Sequence, residues 1–148
     1  MTPEQQMLNR FLVEVFGDIL RLEEASLRKH CPHLSVTELH VLEAVAGCTG
    51  TEGAGMAAIA AALGVTAGTA TVAVKTLEQK GYLARTKAQT DRRRVYVQLT
   101  DAAGPVLRQH ALFHQRMVEQ VSCTLSHEQL DTLCKALETL HGYFLSSR

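Results

Sequence analysis

The fold is decided by ten residues in the middle of the chain, LGVTAGTATV, which run from Leu63 to Val72. Gly64 follows an Ala-rich apolar run, and a glycine there commonly ends a helix because it adopts a left-handed conformation at little cost. Thr66 has the short hydroxyl side chain that caps the start of a helix. The stretch therefore predicts a helix-turn-helix, in which two helices are joined by a tight turn.

Apolar residues at three- and four-residue spacing mark both helices of this pair. The first extends from Met56 to Leu63, and the second continues to about Lys80 before Gly81. The buried stripe of the second helix is predicted to consist of Ala70, Ala73, Val74 and Leu77. The opposite face carries Gly68, Thr69, Val72 and Lys75, with Thr71 at its flank. The second helix is thus expected to be buried on one side and open on the other.

The hydrophobic period changes from 3.6 to 2 after Gly81. A short strand is predicted over residues 83–85 and a second over residues 94–99, where apolar and polar side chains alternate. Residues 87–93 between them are polar and basic. This pattern predicts a β-hairpin with a charged tip, the wing of a winged helix.

Helices are predicted before the helix-turn-helix as well. A long amphipathic helix covers about residues 3–29, and Ser35 with Glu38 forms a capping box that opens a second helix to about Gly47. Residues 48–55 are small and rich in glycine, so they are expected to form a loop.

Two further helices follow the hairpin. Thr100 is expected to cap one of them, and Pro105 in its second turn is expected to bend its start because proline lacks the backbone N–H. Ser126 and Gln129 open the last helix. The predicted fold is mainly α, a winged helix-turn-helix with four helices, two strands and two helices in chain order, and with long N- and C-terminal dimerisation helices.

Charge is segregated along the chain. The 148 residues carry no formal net charge, but residues 75–94 contain seven basic and two acidic side chains, net +5, so the remainder is net −5. A basic cluster of this kind favours a nucleic-acid partner, and a solvated charge run is the alternative. The hydrophobic content of 46% excludes a disordered chain.

The helix-turn-helix and the wing together predict contacts with double-stranded DNA. On the second helix, small or methyl-bearing side chains are expected at base edges and a lysine at a phosphate. These residues are Thr66, Gly68, Thr69, Thr71, Val72 and Lys75. On the hairpin, arginines are expected in the minor groove with a carboxylate beside them. These residues are Arg85, Asp91, Arg92 and Arg93. A threonine-rich solvent face is the alternative for the helix.

The chain is predicted to be a single protomer, residues 1–148, with one part for DNA binding and one for dimerisation. Residues 34–100 are predicted to form the DNA-binding lobe, and residues 1–33 and 101–148 the dimerisation region. The apolar stripes of the terminal helices exceed what a small lobe can cover, so they are expected to meet across a two-fold axis. The four cysteines lack CxxC spacing, and signal or membrane segments are not apparent, which predicts a cytoplasmic protein.

Three segments resemble the multiple-antibiotic-resistance regulator (MarR) family. They are residues 63–72, the run LEQKGYLAR over residues 77–85 and the run DRRRVYVQLT over residues 91–100. The resemblance implies a homodimeric regulator, in most cases a repressor, that binds a pseudo-palindromic operator. Asp91 and Arg93 correspond to the Asp-x-Arg of the family's wing.

Within that family, residues 11–20, 23–28 and 108–120 are similar to the repressors of type II fatty-acid synthesis. In that branch, long-chain acyl groups on acyl carrier protein act as the corepressor. The resemblance therefore implies an acyl-type effector and acyl carrier protein as a partner. The chain departs from the branch in its longer small-residue loop over residues 48–55.

Histidines suggest a second kind of effector. His110 and His114 share a helical face, at a spacing common among metal ligands. A resemblance to zinc-responsive members of the same family adds His40 and Glu24, and four such ligands would suit Zn²⁺. The alternative is that these histidines are hydrogen-bonded residues of an interface or pocket.

Catalysis is not indicated. The run HALFH over residues 110–114 lacks the glutamate that serves as general base in the HExxH pattern, and a nucleophile elbow and a phosphate loop are missing from the sequence. The protein is therefore not expected to be an enzyme. The remaining alternative to a DNA-binding regulator is a helical scaffold dimer without DNA binding.

Overall fold

A computed structural model describes residues 1–48, 53–87 and 95–146. Its elements in chain order are α1 (Pro3–His30), α2 (Val36–Gly47), β1 (Ala54–Gly55), α3 (Met56–Leu63), α4 (Ala67–Gln79), β2 (Leu83–Lys87), β3 (Val95–Leu99), α5 (Ala103–Ser122) and α6 (His127–Ser146). The predicted mainly α winged helix is confirmed, with one strand more than expected. The chain divides into two compact units, Met1–His110 and Ala111–Arg148.

The turn between α3 and α4 forms as the sequence predicts. Gly64 adopts a left-handed conformation with φ of +65°, and its N–H donates to carbonyls of the last turn of α3. The Thr66 hydroxyl oxygen accepts from the Thr69 N–H at 3.2 Å and caps α4. Gly81, with φ of +82°, follows the end of α4 and turns the chain into β2.

The sheet has three antiparallel strands in the order β1-β3-β2. In the hairpin, Leu83 pairs with Leu99 and Lys87 with Val95. β1 lies in the stretch that was predicted as a loop, and it pairs with β3 on the other side. Glycine is required just before β1, because a Cβ at Gly53 would lie 2.7 Å from the backbone oxygen of Val97.

The core of the first unit lies where α2, α3, α4 and β3 meet. Its fully buried large side chains are Leu39, Val41, Leu42, Ile59, Val74, Leu77 and Val97. Burial of an aliphatic side chain stabilises a fold by about 1.5–3 kcal/mol. This core therefore fixes the orientation of α4, whose Ala70, Val74 and Leu77 are completely buried.

An ion pair joins the start of α2 to the end of α4. The Lys80 ammonium donates to both carboxylate oxygens of Glu38, at 2.7 and 2.8 Å, and to the His33 carbonyl at 2.6 Å. Glu38 also accepts from the Ser35 N–H at 2.8 Å, which completes the predicted capping box. Burial raises the pKa of Glu38, but the hydrogen bonds from Lys80 and Ser35 outweigh it, and the net pKa lies below the usual value.

The expected start of α5 was wrong. Thr100 lies three residues before α5 and does not cap it with its side chain. Its hydroxyl donates to the Gly81 carbonyl at 2.7 Å and so ties β3 to the end of α4. α5 begins at Ala103, which places Pro105 in its first turn. The first four N–H groups of a helix have no acceptor within the helix, so Pro105 removes no helical hydrogen bond and no bend is required.

The terminal helices expose apolar side chains. On α1 of the first unit, Phe11 is 52% and Phe16 66% exposed. On α6 of the second unit no residue is buried, and Tyr143 and Phe144 are 65% and 51% exposed. Ser126 and Gln129 cap α6 as predicted.

Within the described ranges no single helix is long and apolar enough to cross a membrane, and only α3 and α4 taken together, bent by 104°, reach that length and hydropathy.

We expect Glu38→Gln to lower the free energy of unfolding at neutral pH by about 1 kcal/mol, because glutamine keeps the cap but loses the charge that Lys80 pairs with. The folded-state pKa is lowered, so this stabilisation is present above the ordinary glutamate value of 4.5 and is lost as the pH falls through the folded value. Denaturant unfolding of wild type and variant between neutral and acidic pH measures the difference.

The matched variants for that measurement are two lysine substitutions. Lys80→Met should show at least the loss of Glu38→Gln, because it also removes the hydrogen bond to the His33 carbonyl. Lys75→Met removes an exposed lysine of α4 and should leave stability unchanged. An identical pH dependence of wild type and Glu38→Gln would show that the pair does not stabilise the fold.

Candidate nucleic-acid interface and histidine cluster

One face of α4 does not pack against the core and is exposed to solvent. The residues predicted on this face, Gly68, Thr69, Thr71, Val72 and Lys75, are all exposed. Val72 is 67% exposed, so its branched methyl groups face solvent. This face is therefore available to a partner, while the opposite side of α4 holds the core together.

Hydroxyl groups at the start of α4 bond within the helix. The Thr71 hydroxyl donates to the Ala67 carbonyl at 2.8 Å. The hydroxyls of Thr66 and Thr69 lie 2.9 Å apart and share a hydrogen bond. Two of the three hydroxyl protons are therefore used within the helix, which leaves fewer donors for a partner.

Gly68 leaves space beside this part of α4. A Cβ at this position would meet Thr66 Oγ1 at 3.9 Å, an ordinary van der Waals distance. Packing within the chain therefore does not demand a glycine at position 68. Its missing side chain would instead allow the backbone of another molecule to approach α4 closely.

The basic residues of the predicted interface fall into two groups. Lys75 is exposed on α4, but Arg85 on β2 is held by Glu78, with 2.9 Å between Nε and Oε2. The prediction of Arg85 as a DNA contact overlooked this ion pair, which engages Nε of its guanidinium. The predicted wing-tip residues, Asp91, Arg92 and Arg93, lie outside the described residues.

A buried cluster of carboxylates and imidazoles joins α1, α2 and the first part of α5. Glu23 and His110 are only 3% and 6% exposed. Glu23 Oε1 lies 3.2 Å from His40 Nε2 and 3.3 Å from His110 Nε2. His110 Nε2 also lies 3.0 Å from Glu43 Oε1. Each imidazole thus has a ring nitrogen close to a carboxylate oxygen, which can accept a hydrogen bond from a ring N–H.

The acidic member of this cluster differs from the prediction. Glu24 is exposed and contacts Arg28 at 3.4 Å, whereas its neighbour Glu23 lies beside the histidines. Glu23 follows Ile19 by four residues and precedes Leu27 by four, so it occupies the buried stripe of α1. An acidic residue at a stripe position was the signal that would have identified it. His114 is half-buried on α5 in the second unit.

The cluster borders a cavity of about 10 Å³, lined among others by Glu23, Leu27, Leu39, Val106 and His110. A space of this size accommodates about one water molecule, and a long acyl chain would have to displace side chains to enter. For zinc, the predicted set fails at Glu24. Glu23 and His110 nevertheless offer an oxygen and an imidazole donor, the types that zinc prefers.

A winged helix-turn-helix with an exposed face on its second helix is typical of nucleic-acid-binding proteins. Residues 34–94 match the sequence model of the MarR family. No curated protein sequence matches the chain. The family match therefore covers the winged helix, and the structural likeness to a solved relative extends over nearly the whole chain.

Several solved structures share the fold. Streptococcus pneumoniae FabT in complex with DNA is 29% identical, with a TM-score of 0.88 over 97% of this chain and 99% of that one. The transcriptional regulator BldR from Sulfolobus solfataricus is 25% identical, with a TM-score of 0.63 over 94% and 99%. S. aureus MepR in a complex with DNA is 16% identical, with a TM-score of 0.76 over 92% and 95%, which shows the fold alone.

His110→Ala is expected to lower the free energy of unfolding by about 3 kcal/mol, because it removes one partner of a buried carboxylate. His33→Ala is the matched control, since its exposed imidazole is replaced while its main-chain carbonyl still accepts from Lys80. Denaturant unfolding at equal protomer concentration compares the two. A loss for His110→Ala no larger than that for His33→Ala would contradict the structural role of the cluster.

Proposed function

We propose that the protein is a homodimeric transcription regulator, most simply a repressor, that acts in the cytoplasm by binding a pseudo-palindromic site in double-stranded DNA. The observation that carries the proposal is the solvent-exposed face of α4, made of small and methyl-bearing residues and ending in Lys75. FabT and MepR, which share the fold, were solved in complexes with DNA. The proposal makes the protein a regulator and not an enzyme.

The division of labour follows from the chemistry of each element. The N-terminal half of α4 enters the major groove, where base edges differ, and Lys75 neutralises a phosphate. Arg92 and Arg93 reach the minor groove beside Asp91. Arg85 contributes only if it leaves Glu78, so its pairing reduces its value as a DNA contact. In this proposal residues 34–100 remain the DNA-binding lobe.

Dimerisation is supported by the exposed apolar residues of the terminal helices. Phe11 and Phe16 on α1, and Tyr143 and Phe144 on α6, would be costly to leave in water. A second copy offers the same apolar residues, so an interface between copies can cover them on both chains. Residues 1–33 and 101–148 are therefore proposed as the dimerisation region.

The effector is proposed to act where α1, α2 and the first part of α5 meet. The resemblance of residues 11–20, 23–28 and 108–120 to fatty-acid-synthesis repressors supports an acyl-type effector presented by acyl carrier protein. The donor chemistry at Glu23 and His110 supports zinc as the alternative. When bound, zinc would neutralise the buried carboxylate and tie α1 to α5. Either effector would act by favouring one spacing of the two lobes.

The function is tested by selecting duplexes from a random pool with the full-length protein, followed by titration of the selected and a scrambled duplex. Lys75→Ala should weaken both alike and reduce the salt slope by about one, because a lysine at a phosphate reads no sequence. Arg93→Ala should weaken the selected duplex by about 1–3 kcal/mol more than the scrambled one. Equal losses of Arg93→Ala on both duplexes would contradict a groove contact of Arg93. A pool from which no duplex is enriched would contradict sequence-specific DNA binding and favour the scaffold dimer.

Native mass spectrometry tests the dimer and the effector together. The expected species has twice the 16.2 kDa protomer mass, and a monomer at micromolar concentration would overturn the dimer. Zinc and long-chain acyl carrier protein are then added separately to the protein and its DNA complex. His110→Ala combined with His114→Ala should abolish the response to the true effector. Because His110→Ala is expected to lower stability, a thermal melt first establishes that the variant is folded at the assay temperature, and its effector-free DNA binding is compared with wild type there. An unchanged response to both would show that the effector site lies elsewhere.

A further inference from the structure

We infer that α4 recognises its DNA site through methyl contacts, so that each half-site contains thymines against α4 and Val72 determines this preference. The inference rests on the proposed function and specifies the chemistry of its DNA partner. Three observations carry it: the exposure of two valines, the hydrogen bonds of the threonine hydroxyls, and the types of residue that are missing from the first half of α4.

Two valines expose branched methyl groups near the start of α4. Val72 is 67% exposed on α4, and Val65, in the turn before it, is 39% exposed. Valine is a mediocre helix former because its branched side chain is restricted at χ1. At position 72 it therefore improves neither the core nor the helix, and its exposed methyl groups can contact another molecule.

The threonines of this face use part of their hydrogen-bonding capacity within the helix. Since the Thr71 hydroxyl gives its proton to the Ala67 carbonyl, it can accept from a base but not donate to one. Thr66 and Thr69 share one hydrogen bond, and Thr66 also accepts from the Thr69 N–H, so one hydroxyl proton of this pair is used. The γ-methyl groups of these exposed residues carry no such internal commitment and can contact a partner.

The first half of α4 lacks the side-chain types that commonly recognise guanine and adenine. Guanine is commonly read by arginine or lysine and adenine by asparagine or glutamine. Residues 65–74 contain none of these, and the first charged side chain is Lys75. In the major groove, the feature that matches a methyl-bearing surface is the C5-methyl group of thymine. Gly68 lets the groove edge come close enough for such contacts.

The test uses the full-length protein and a duplex selected by it from a random pool. Each thymine is replaced in turn by deoxyuridine, which removes the C5-methyl group and keeps the base pair. We expect about fourfold weaker binding at each contacted thymine, the factor that corresponds to about 0.8 kcal/mol for one buried methylene-sized group. At least one such thymine should occur in each half-site.

Two variants assign the effect to α4. Val72→Ala should abolish the discrimination between thymine and deoxyuridine at the thymine that Val72 contacts, and its exposed position leaves the core unchanged. Lys75→Ala, on the same helix, should weaken binding but preserve the ratio of affinities for the two bases. A thermal melt of each variant establishes that it is folded.

The outcomes separate the inference from the proposed function. Strong, selective binding with equal affinity for thymine and deoxyuridine at every position overturns the methyl readout and leaves the regulator intact. A Val72→Ala variant that still discriminates at every thymine overturns the role of Val72. A random pool that yields no selected duplex overturns the proposed function itself.

Discussion

The complete burial of Ala70, Val74 and Leu77 on one face of α4 is the constraint on which the rest of the structure depends. A helix that gives one face to the core must leave the opposite face outside, because the two faces are fixed by the helical repeat. The turn at Gly64 and the cap at Thr66 set where α4 begins, and Lys80 anchors its end to Glu38. The open face therefore has a fixed position, which suits contact with the rigid groove of DNA.

The second constraint is the buried carboxylate of Glu23. A charge in such a place is costly unless partners compensate it, and His40 and His110 are those partners. They come from α2 and α5, so the cost of burying one side chain links three helices. Any ligand that alters these partners changes the balance between those helices, which is the physical basis for placing the effector there.

Local features could be predicted from sequence because they depend on neighbouring residues. The caps at Ser35, Thr66 and Ser126 each involve a partner three residues later, and all three form. β1 could not be predicted, since a two-residue strand has no periodicity and exists through pairing with β3. Glu24 was chosen over Glu23 because a shift of one residue rotates a helical side chain by about 100°, which a motif match does not register. The pairing of Arg85 with Glu78 depends on how β2 follows α4.

Because methyl contacts of α4 contribute little free energy each, dimerisation adds DNA selectivity besides covering apolar surface. Methyl contacts contribute about 0.8 kcal/mol each, so one α4 with a few of them selects its site only weakly. Two copies held at a fixed spacing add their contributions on one duplex, where half-sites lie about 34–36 Å apart. Selectivity then depends on the spacing as much as on the contacts themselves. An effector that shifts the spacing by a preference of about 1–3 kcal/mol therefore changes DNA affinity about 5–150-fold without touching α4.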